Sequence, residues 1–88
     1  MAVWGLDVTQ VRQLSTQLNR QADAIQQSLS TLTSALNGTQ WTGPDAEKFR
    51  NEWSSSHTSA LKSVINALQE AGQLAARNAD SQEQTSNA

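Results

Sequence analysis

The chain has 88 residues and a formal net charge of −2, with six Lys and Arg, eight Asp and Glu, one His and no Cys. The absence of cysteine excludes disulfides, iron–sulfur clusters and thiolate metal sites. The near-balanced charge argues against a nucleic-acid binder, which carries a clustered basic face, and against a polybasic membrane anchor. Hydrophobic residues make up only 36% and charged ones 16%, while Ser, Thr, Asn and Gln together supply 36 residues. So thin a supply of apolar side chains points to a core that a partner completes.

The N-terminal stretch, residues 1–6, reads as a lead-in. Met1 to Val8 holds no basic cluster and no apolar run of the kind a general secretory signal needs, so any export is expected to use another route. No apolar run approaches the roughly 20 residues of a spanning helix. Trp4 precedes the first helix, and in an antiparallel hairpin it is expected to pack near Leu74 to Arg77.

The first helix is expected over residues 7–37. Asp7 or Thr9 can cap its N-terminus by accepting a bond from a free amide of the first turn. Val11, Leu14, Leu18, Ala22, Ile25, Leu29, Leu32 and Leu36 then recur in steps of three and four, a narrow seam of heptad type. Asn37-Gly38 ends the helix, glycine being the usual residue where the chain turns left-handed. The turn spans residues 38–43. The second helix is expected over residues 44–77, with Thr42 or Gly43 as cap and Pro44 in the first turn, where its missing amide hydrogen costs little. Asp45 and Glu47 sit where the helix dipole favours negative charge. Ala46, Phe49, Trp53, His57, Ala60/Leu61, Val64/Ile65, Ala67/Leu68, Ala71 and Leu74/Ala75 form a stripe that widens after Trp53. Residues 78–88 contain no large apolar residue and read as a mobile tail.

Two long helices with a short connection give an all-α antiparallel hairpin. One hairpin cannot shield both stripes, so the hairpin is expected to pair into a dimeric four-helix bundle, with Leu18, Ile25, Leu29, Leu32, Phe49 and Trp53 along the dimer seam.

Catalytic and metal readings are weak. His57 is the only histidine and lies on the apolar stripe, so an interface role fits better than a metal ligand or proton switch. Glu47 and Glu52 are five residues apart and point in different directions on a helix. Ser54, Ser55, Ser56 and Ser59 have only His57 as a candidate base, and a rod offers no concave pocket. The expectation is a non-enzyme without cofactor or metal.

At the turn stands Trp41-Thr42-Gly43, followed by Pro44-Asp45-Ala46-Glu47-Lys48-Phe49. A Trp-x-Gly between two helices of about 30 residues, in a short cysteine-free chain, resembles the WXG family of small substrates of type VII (ESX) secretion. The resemblance covers the whole hairpin, and the string from Trp41 to Trp53 is similar to actinobacterial members. It implies a hairpin pairing with itself or with a paralogous WXG hairpin. It also implies signal-peptide-independent secretion from the cytoplasm through a secretion ATPase, with Trp41 and Gly43 as the turn motif. The family's C-terminal signal is Tyr, three residues, then Asp or Glu. Here there is no tyrosine, and Ala76 and Asp80 occupy those positions by spacing. Some members lack the tyrosine and rely on a partner's signal; the alternative is a variant signal. The alternative from the residues alone is a cytosolic helical adaptor or chaperone that holds another helical protein and is not exported.

Overall fold

The computed structural model describes residues 5–87, and they form an all-α hairpin. Helix α1 spans Val8–Gly38, α2 spans Pro44–Glu52, a π-helical turn spans Trp53–His57, and α3 spans Thr58–Asn87. The last three run on without a break and fold back along α1, giving a rod of 65 × 17 × 13 Å.

Each end has a local cause. Asp7 caps α1, its carboxylate accepting the Gln10 amide at 3.0 Å. The other end differs from expectation: Gly38 is still helical, and Thr39 leaves α1 in an extended conformation. The positive φ falls instead on Gly43, at 119° with ψ 174°, which serves as N-cap of α2 with Pro44 behind it. That region is open to glycine alone. The turn needs it there because the chain must reverse before Pro44 has fixed the first helical φ.

The line along which the helices meet is built from small residues. Ser15, Ala22, Gly72 and Ala79 are buried there, with Leu29 and Ile65 filling the wider half and Ile25, Trp53, Leu61 and Leu68 packed around them. The Ser15 hydroxyl donates to the Gly72 carbonyl at 2.7 Å. A Cβ on Gly72 would stand 2.9 Å from Asn19 Oδ1, so the glycine leaves room for the Asn19 side chain. The inward line of α1 departs from its apolar period. Leu14 and Leu32 are about half exposed, and the inward positions next to them are Ser15 and Thr33. Leu29, expected at the dimer seam, lies inside the single hairpin.

Among the described residues the buried apolar side chains are Ala22, Leu29, Ala46, Ile65 and Ala79, three of them alanines. A core of this size offsets little conformational entropy.

The tail expected from residue 78 is also corrected, because α3 continues to Asn87. Ala79 is fully buried and Gln82 half-buried against the start of α1. Arg12 donates to Asp80 at 2.7 Å and also to Glu83. These hydrogen bonds, to Asp80 first and then Glu83, raise the guanidinium above its ordinary pKa. Arg12→Ala should therefore speed amide exchange over residues 80–87 and leave the core of α3 unchanged. Exchange read by NMR with and without 0.5 M salt checks this, since screening should act in the same direction. Trp4 and its expected contact with Leu74 to Arg77 lie outside the described residues.

Candidate functional site

The hairpin has two unlike flanks. On an α-helix, Leu18, Ile25 and Leu32 lie about 60° to one side of the inward line Ser15, Ala22, Leu29. Leu61, Leu68 and Ala75 lie to the same side of Ile65 and Gly72, with Val64 and Ala71 further round. Because α1 and α3 run in opposite directions, these two sides open onto the same face of the rod. Between Leu14 and Leu36, and between Trp53 and Ala75, that face carries no Asp, Glu, Lys or Arg. The other face holds Arg12, Asn19, Gln26, Lys62, Gln69, Asp80 and Glu83, and is the one across which Arg12 bridges. The apolar face exposes Leu14, Leu32, Val64 and Leu74, the first and last at 53% each.

At the tip the apolar face deepens into a groove. A concavity of about 180 Å³ is lined by Leu32, Ala35, Leu36, Thr39, Trp41, Phe49 and Trp53. Its aromatic wall is a cluster of rings. Trp41 and Phe49 have ring centroids 6.3 Å apart, Phe49 and Trp53 6.2 Å, and Trp53 and His57 6.4 Å. These are distances for favourable offset and tilted aromatic pairs. Trp53 is anchored by its indole N–H, which donates to the Thr33 hydroxyl at 2.9 Å.

Arg50 is not singled out by composition, period or motif. Its guanidinium donates to the carbonyls of Leu36, Thr39 and Trp41 and lies 5.8 Å from the Trp41 ring centroid. It satisfies the free carbonyls at the end of α1 and holds Trp41 by a cation–π contact. An arginine nine residues after a turn tryptophan is a signal only once the turn geometry is known. Trp41 stays 42% exposed and forms the outer lip of the groove.

The π turn explains the cluster. Thr58 N–H bonds to Trp53 O, an i to i+5 bond that widens one turn. Four-residue spacing in an α-helix advances by about 40° per step. The wider turn offsets that drift and brings Phe49 and His57 within 6.4 Å of each other beside Trp53. The neighbouring hydroxyls of Ser54 and Ser55 bond back to Asn51 O.

The expected residues therefore divide. Leu32, Trp41, Phe49 and Trp53 meet at the groove, Gly43 shapes the turn behind it, and Leu18 and Ile25 lie half-buried on the apolar face. Ala76 and Asp80 lie at the far end of the rod, Ala76 half-buried and Asp80 bound to Arg12. Among the described residues no three His, Cys, Asp or Glu groups stand together as metal ligands, and no helix is long and apolar enough to cross a membrane.

No protein-family model, curated protein or solved structure matches the chain.

Proposed function

We propose that this chain is a small substrate, or partner subunit, of a type VII secretion system of the WXG kind, and that it acts by binding protein. The observation that carries the reading is the tip: Trp41-Thr42-Gly43 joins two long antiparallel helices, the glycine has the positive φ only it tolerates, and the tryptophan forms the lip of an apolar groove. The uncharged face continuing from that groove suits a second helical hairpin, and the exposed Trp41 edge suits the secretion ATPase. Export proceeds without a cleaved signal. With Ala76 in the place of the family's tyrosine, the partner in the pair supplies the missing half of the export signal.

Trp41→Phe tests the reading. The ring sits on the surface, so the variant should keep its helical content and its melting temperature within a few degrees. Export into the culture medium should fall several-fold, because the indole edge and its contact with Arg50 are lost. A well-folded Trp41→Phe chain exported at the normal level would leave the tryptophan with packing alone. A wild-type chain that stays in the cytosolic fraction would favour the adaptor reading instead.

A further inference from the structure

We infer that Asn37-Gly38, at the end of α1, is a site of spontaneous covalent modification: the asparagine converts to aspartate or isoaspartate, and the hold of Arg50 on the end of α1 sets the rate.

The sequence picks out the position. Asn37 is the only asparagine that precedes a glycine, whereas Asn19, Asn51, Asn66 and Asn78 precede Arg, Glu or Ala. The reaction needs water alone. The Gly38 amide nitrogen attacks Asn37 Cγ. An N–C bond forms, the Cγ–Nδ2 bond breaks, and Nδ2 leaves as ammonia with the proton that the Gly38 amide gives up. Water then opens the cyclic imide at either carbonyl. One opening gives aspartate, and the other gives isoaspartate, in which the main chain passes through Cγ. A side chain on the following residue hinders the attack, but glycine has none, and a Cβ built on Gly38 meets nothing within 4 Å. Both residues are exposed, so water and base reach them.

Local structure opposes the attack. Gly38 is the last residue of α1. Its amide belongs to the helical ladder, and a helical Asn37 holds Cγ away from that nitrogen. The last turn must therefore open first. Helix ends open more readily than cores, but this one is tied down. The Thr39 hydroxyl donates to the Ala35 carbonyl at 2.5 Å, and Arg50 donates to the Leu36 and Thr39 carbonyls at 3.1 and 3.0 Å. The tied carbonyls stand on both sides of Asn37-Gly38. A charged donor makes the stronger bond, so Arg50 is the larger restraint.

The product alters the tip. A carboxylate at position 37 sits at the C-terminal end of α1, where the helix dipole disfavours negative charge. It stands one residue from the Leu36 carbonyl and offers the guanidinium a charged acceptor in place of neutral ones. Arg50 is then drawn from the carbonyl and ring of Trp41, and the lip of the groove loosens. The conversion thus links the age of the molecule to the state of its groove.

Purified protein, aged in mildly alkaline buffer and followed by peptide mass spectrometry with isoaspartate resolved, tests this. Asn37 should convert ahead of every other asparagine, and more slowly in the folded chain than in urea. Arg50→Gln should keep its far-UV circular dichroism and convert about tenfold faster, the effect of losing a bond from a charged donor. Thr39→Val should give a smaller acceleration and serves should Arg50→Gln fold poorly. Gly38→Ala should preserve the amide. Asn37→Asp should stay helical and change the near-UV circular dichroism of the tryptophans; an unchanged spectrum overturns the loosening of the lip. Earlier conversion of another asparagine, or folded Arg50→Gln and Thr39→Val chains ageing at the wild-type rate, overturns the inference. The assay involves no export, so its outcome is independent of the secretion reading.

Discussion

Leu29→Asp should unfold the hairpin. Leu29 is 4% exposed and packs with Ala22 and Ile65 at the widest part of the core. Losing the leucine alone costs about 2–5 kcal/mol, and an unpaired buried carboxylate adds several more. At about 0.05–0.15 kcal/mol per residue, an 88-residue chain holds on the order of 5–10 kcal/mol in all. The far-UV circular dichroism of the variant should fall towards that of a disordered chain at neutral pH. Leu32→Asp is the control. Leu32 is 50% exposed, so its variant should remain helical and lose self-association. Equal loss of helix in both would show that Leu32 belongs to the core.

Gly43→Val and Gly38→Ala should move the melting temperature in opposite directions. Neither glycine has an atom within 4 Å of where a Cβ would stand, so sterics with neighbours do not enter. Gly43 has φ 119°, and a β-branched residue there costs about 1–3 kcal/mol of backbone strain. In a domain of this size that lowers the melting temperature by roughly 4–20 °C. Gly38 is helical with ordinary dihedrals. Alanine there removes unfolded-state freedom and should add about 0.4–1 kcal/mol, raising the melting temperature by a few degrees. Calorimetry on the two variants checks the signs, and a fall with Gly38→Ala would place the left-handed residue at the end of α1 after all.

The contrast between those glycines shows where the sequence was legible. Composition, the breakers between residues 38 and 44 and the apolar period fix a helical hairpin, and Asp7 and Pro44 mark two of its ends by chemistry that acts within one turn. The inward line was not legible. A hydrophobic period selects Leu14 and Leu32, but two helices that approach closely along Ser15, Ala22, Gly72 and Ala79 need small residues there and push the leucines to the flank. Serine looks polar in a sequence. Its hydroxyl becomes a buried contact only when a glycine carbonyl from 57 residues away arrives beside it. The continuation of α3 to Asn87 was hidden for a related reason. Arg12, Asp80 and Glu83 are ordinary surface charges until the fold sets them face to face. Of the groove, the aromatic residues were visible, but Arg50 and the widened turn were not, since each depends on three-dimensional closure.

The π turn at Trp53–His57 also acts as a phase adjuster for evolution and for the engineer. It stores one surplus residue in an otherwise regular rod. Removing one serine from Ser54 to Ser56 would let the helix become regular without shortening the loop or touching the core. Five residues of the π turn cover the same rotation as four of α-helix, roughly 400°, so Phe49, Arg50 and the Trp41 lip should keep their bearing on α3 after the deletion. The surplus residue is thus an insertion absorbed within one wide turn, and the tip and the shaft are spared the rotation that a regular helix would have passed on.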